Sequence, residues 1–133
     1  MRNCLVLIAL SLLSAFVAAA PPQRVEIVYE MARNDLILAE VTQRLEHDGH
    51  VYRLTETTKG RGLLALRGEA NRTSQGAIAG DGLRPLKFED KRSGRDTLQV
   101  GFDPAAKTPP LLQQDQLSVI WTFAFAPPRD AAT

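Results

Sequence analysis

Apolar side chains recur at every second position in one short run after another, with turn-forming residues between the runs. A chain patterned this way folds as neighbouring antiparallel strands. Over residues 24–31, Val25, Ile27, Tyr29 and Met31 alternate with Glu26, Val28 and Glu30; over 36–47, Ala39, Val41 and Leu45 alternate with Glu40, Thr42, Arg44 and Glu46. Over 51–59, Tyr52 and Leu54 share one face, and Arg53 and Thr55 the other. Asn34-Asp35 can take the positive φ values of a tight hairpin, and Asp48-Gly49 is the strongest short turn signal in the chain.

Further strands are expected over 69–74, 77–79, 83–92 and 97–102, separated by Gln75-Gly76, Asp81-Gly82 and Ser93-Gly94. Pro85 has no N–H to give a ladder, so its strand should begin there or hold that position on an edge. The fold class that follows is mainly β: a curved antiparallel meander of about six to seven strands. Between the third and fourth runs, Leu63-Leu64-Ala65-Leu66 is fenced by glycines and arginines, and reads as a packed or single helical turn at the end of the sheet.

After Phe102 the texture changes. Leu117, Ile120, Trp121 and Ala124 recur at helical spacing, with Asp115 as N-cap and Pro127-Pro128 as stop, which predicts a C-terminal helix over about 115–126.

The N-terminus has Arg2, an apolar run from Cys4 to Val17, and small residues at Val17-Ala18-Ala19, the pattern of a cleaved signal peptide over 1–19. The run is about 14 residues long, short of the ~20 that a spanning helix needs. Cleavage leaves one β-rich domain over 20–133, removes the only cysteine, and takes Arg2 from the 16 basic residues, so that 15 face 15 acidic ones. No disulfide or thiol chemistry is expected, and neutrality gives no reason to expect nucleic acid or an acidic membrane surface as partner. A cysteine-free exported domain suits a bacterial periplasm.

No pattern carries catalysis. There is no Gly-x-Ser-x-Gly elbow, and Glu89-Asp90 point to opposite faces of a strand. His47, His50 and Glu46 flank a solvated turn and lack the convergent ligand set of a zinc site, so neither metal nor cofactor is expected. The features with a functional reading are Leu63, Leu64 and Leu66 together with the helix residues Leu117, Ile120 and Trp121, as the lining of an apolar groove; the competing reading, which weighs more, is that Trp121, Phe123 and Phe125 complete the core of a small domain with few other large residues.

Several segments resemble the bacterial envelope family known as domain of unknown function 3108. They are Val25-Glu26-Ile27, Leu38 to Arg44, Tyr52-Arg53-Leu54, Gly62 to Leu66, Asp81 to Pro85, Phe88-Glu89-Asp90 and Gln114 to Ser118. The resemblance implies an exported protein with a large curved sheet, similar in style to periplasmic lipoprotein-carrier half-barrels, and it implies no reaction. It covers only the N-terminal half of the family, whose members continue with more strands. That leads one to expect a sheet open along an edge, a sheet paired with a second copy, or a shortened reading frame. The resulting expectation is a non-catalytic periplasmic protein that binds a lipid-like ligand in the concave face. The alternative is an interaction module that docks on an envelope protein, or on itself as a homodimer, through an edge strand.

Overall fold

The alternation becomes six strands, each pairing antiparallel with the next in chain order: β1 (Arg24–Arg33), β2 (Leu36–His47), β3 (Val51–Gly60), β4 (Glu69–Ala79), β5 (Gly82–Arg92) and β6 (Leu98–Gly101). The computed structural model describes residues 21–105 and 113–125; the signal segment and Pro127-Pro128 lie outside the described residues. A 3-10 helix (Gly62–Arg67) joins β3 to β4, and helix α1 (Ser118–Phe125) follows the sheet.

Turn chemistry sets the register. Asn34 and Asp35 both take positive φ, 50° and 61°, as a two-residue hairpin of this hand requires. Asp48 Oδ1 accepts the N–H groups of His50 (2.8 Å) and Val51 (2.9 Å), and Gly49 takes φ 91°. The registers put Leu45, Leu54, Ser74 and Phe88 in one row across four strands. On that face Leu45, Tyr52, Leu54, Leu83 and Phe88 pack with Leu117 as the core, flanked by Val25, Ile78, Phe102, Trp121 and Phe125. The opposite face is polar and cross-linked by Arg44–Glu26, Arg61–Glu40 and Lys59–Glu69 pairs.

Three expectations need correction. Gln75-Gly76 does not end a strand: β4 runs through it, and the register slips there because Leu86 is an extra residue on β5. A glycine inside a strand marks a bulge or a close backbone approach as readily as a turn. Here a Cβ on Gly76 would collide with the Arg84 carbonyl. The reversal falls instead at Gly80-Asp81, with Gly82 already in β5.

The third correction concerns the helix, whose regular part spans Ser118–Phe125. Asp115 does cap it: its C=O accepts Val119 N–H (3.2 Å), its Oδ1 accepts the N–H groups of Leu117 and Ser118 (2.9 Å each), and Ser118 Oγ accepts Asp115 N–H (3.0 Å). The buried helix positions, however, are Ser118 and Thr122, while Ile120 is 67% exposed.

Thr122 is inside because it closes an edge. β6 pairs with β5 only over 87–90, which leaves the outward backbone of Leu83 without a strand. Leu83 N–H donates to Thr122 Oγ1 (2.9 Å) and Leu83 C=O accepts from Gln114 Nε2 (2.7 Å), so the helix segment stands in for a strand. Pro85 lies two positions on along the same uncovered side, where its missing N–H costs no ladder bond.

Candidate functional site

Charged side chains at inward positions are the feature of the helix-bearing face that core packing does not account for. Gln43, Glu56, Arg72 and Asp90 stand opposite one another on β2, β3, β4 and β5, one row beyond the core row. Gln43 Nε2 donates to Glu56 Oε2 (2.8 Å), and Arg72 donates from Nη1 to Glu56 Oε1 (3.0 Å) and from Nε to Asp90 Oδ2 (3.3 Å). Arg92 completes the row with Nε to Asp90 Oδ1 (3.1 Å) and Nη2 to Asp90 Oδ2 (2.9 Å). Glu56 is only 8% exposed, so the row is a set of partly desolvated charges that hold only because each is paired.

The Arg92 guanidinium, then Arg72, hold the Asp90 carboxyl below the usual carboxylate range. Burial, then the charge of Glu56, pushes the Tyr29 phenol up. Trp121 Nε1 donates to Gln43 Oε1 (3.2 Å), which ties the helix to one end of the row.

Apolar side chains on the same face flank the row. On β1, Ile27 stands directly across from Gln43, with Tyr29 and Met31 further along, and they are 44%, 41% and 52% exposed. On β6, Leu98 and Val100 are exposed beside Asp90 and Phe88. Both carboxylate oxygens of Glu56 and both of Asp90 are engaged by donors, so the row is closed on itself by charge-assisted hydrogen bonds.

The expected groove is divided. Leu63 and Leu66 are 86% exposed, and Leu64 is half-buried, on the 3-10 helix at the Gly60 end of β3. Leu117 lies in the core, Ile120 faces solvent and Trp121 is half-buried, at the other end of the strands. The Leu64 backbone lies close against Gly60, while Leu63 and Leu66 point outside.

His47 serves the scaffold. Its Nδ1 accepts Gly49 N–H (3.2 Å), which leaves Nε2–H to donate to the Pro22 carbonyl (2.8 Å), and its ring meets Phe125 edge-on at 4.9 Å. Among the described residues no group of three or more His, Cys, Asp or Glu is placed to hold a metal.

A depression of about 770 Å³ opens mainly on the opposite face, over Glu46, Arg53, Gln75 and Lys87, with Val51 and Leu86 at its rim. It lies away from the charged row. Its lining mixes the apolar Val51, Tyr52 and Leu86 with charged residues, of which Lys87 pairs with Glu89 (2.8 Å).

No family model, curated protein or solved structure matches this chain. The resemblance to the envelope family rests on its sequence motifs alone.

Sequence reading missed the charged row, although its signal was present: Glu56 has the same strand parity as Tyr52 and Leu54. A charge at an inward parity requires a partner, and the partner becomes visible only once the register is known.

Proposed function

We propose that this chain is a non-catalytic exported envelope protein that holds a lipid-like amphiphile on the helix-bearing face of its sheet. The observation that carries this reading is the position of Trp121. Its indole bonds Gln43 at the end of a paired charged row, and Gln43 faces exposed Ile27 with Tyr29 and Met31 beyond it. An apolar shelf with polar groups at one margin suits a molecule with a hydrocarbon body and a polar head. Export is supported by the signal pattern over 1–19.

Trp121 is the only tryptophan, so its emission reports this site alone. Titration of delipidated protein with oleate and with phospholipid should shift and saturate that emission, and Ile27→Glu should abolish the change. No shift with either probe, together with no extractable lipid in protein as purified, would remove the reading.

A second reading, docking of a protein partner through β1, is supported by the exposure of Ile27, Val28, Tyr29 and Met31 on a ten-residue edge strand.

A further inference from the structure

The edge of β1 has a readable pattern of free backbone groups. His47 N–H donates to the Gln23 carbonyl (2.9 Å), directly across the ladder that pairs Arg24 with Glu46. In an antiparallel ladder, residues that bond the neighbour alternate with residues that face away. Gln23 and the odd positions of β1 through Tyr29 therefore spend their backbone on β2. Arg24, Glu26, Val28 and Glu30 point theirs outward, where no strand lies among the described residues.

The charges along this edge are unbalanced in a specific way. Glu30 stands opposite Glu40, a like charge, and Glu40 is already engaged by Arg61 (2.7 Å). Glu30 has no cationic partner among the described residues. Arg24 reaches Glu46 only at 3.7 Å and is largely exposed.

We infer that β1 pairs antiparallel with β1 of a second copy, with Ile27 on the two-fold axis. In that register Arg24 of each chain faces Glu30 of the other, and Glu26 faces Val28. Every outward N–H and C=O of these four positions then meets one from the partner. Moving the axis to Val28 sets Glu26 against Glu30, and moving it to Glu26 sets that residue against itself. Only the Ile27 register both relieves Glu30 and occupies Arg24. On the helix-bearing face it places Ile27 against Ile27 and Val25 against Tyr29, so the two apolar shelves merge into one across the axis. The inference does not depend on the ligand reading.

The test uses the full chain in a Cys4→Ser background. Ile27 on the axis is a non-hydrogen-bonded pair, with Cα atoms about 4.5 Å apart, within disulfide reach. Ile27→Cys should oxidise to a covalent dimer, whereas Val25→Cys and Tyr29→Cys, each off the axis, should stay largely uncrosslinked. By analytical ultracentrifugation the unmodified chain should be a dimer. Glu30→Arg should weaken it by roughly tenfold, because the lost pair occurs twice, and the double reversal Arg24→Glu with Glu30→Arg should restore it. Circular dichroism establishes that each variant is folded. A folded chain that stays monomeric at high concentration overturns the inference. So does a dimer that crosslinks elsewhere, or one indifferent to both charge reversals.

Discussion

Ser74, at the centre of β4, donates its hydroxyl to Asp115 Oδ2 at 2.5 Å, and Asp115 is the residue that caps helix α1. Tyr52 OH lies 2.9 Å from the same serine oxygen, so a buried chain Tyr52–Ser74–Asp115 joins two strands to the helix start. Burial pushes the Tyr52 phenol well above its ordinary value, as expected for a hydroxyl that must stay protonated to donate. The one carboxylate thus caps the helix and docks it.

Asp115→Ala removes both functions, leaving the Leu117 and Ser118 N–H groups uncapped and a buried serine without its acceptor. The expected cost is about 2–4 kcal/mol, from loss of a cap plus an unsatisfied buried hydroxyl. Urea denaturation measures it. Asp115→Asn, which can still accept at the cap, should lose less, and equal losses would show that the two functions are not separable.

Gly76→Ala should destabilise by about 2 kcal/mol or more, because the added methyl group meets the Arg84 carbonyl and the Pro85 Cα, both backbone. Gly80→Ala is the control, since nothing lies within 4 Å of its Cβ position. Thermal melts of the pair separate close approach from a general intolerance of alanine in this hairpin. Similar melting temperatures would mean that β5 yields at its bulge without cost.

The same glycine shows where sequence legibility ended. Alternation and turn residues place β1, β2 and β3 nearly to the residue, because period two and positive-φ turns are local properties. Whether a glycine breaks a strand or lets a neighbouring backbone approach depends on what lies beside it, and Gln75-Gly76 is read wrongly for that reason. Helical spacing likewise finds α1 and its Asp115 cap but not its inward face. Ser118 and Thr122 are buried for their hydrogen bonds, which hydropathy does not register. The Gln43–Glu56–Arg72–Asp90 row depends on four strand registers at once, and no single segment contains it.

Acid should destabilise the fold through Asp90 and Asp48. Asp90 is held low by Arg92, then Arg72, and Asp48 by the N–H groups of Val51 and His50. Their folded-state pKa values lie below those of the unfolded chain, so the unfolded chain takes up protons first. The stabilisation is present above the unfolded value near pH 4 and is lost as pH falls below it. Urea midpoints between pH 6 and pH 3 should drop for the unmodified protein. For Asp90→Asn the drop should be shallower, and an identical pH slope would show that the carboxylate row contributes nothing to acid sensitivity.

Thr122→Val tests whether the helix truly substitutes for a strand. Valine matches threonine in shape, so core packing is kept while the acceptor for Leu83 N–H (2.9 Å) disappears. An unsatisfied N–H in that buried position should cost about 1–3 kcal/mol. The informative readout is hydrogen exchange at Leu83, which should speed up by more than global destabilisation explains, because the edge opens locally. If Leu83 instead exchanges only as fast as the Leu54 amide in central β3, the helix is held by its apolar contacts and the edge bond is incidental. If it exchanges faster, sealing the β5 edge is what places Thr122 on the inward side of the helix.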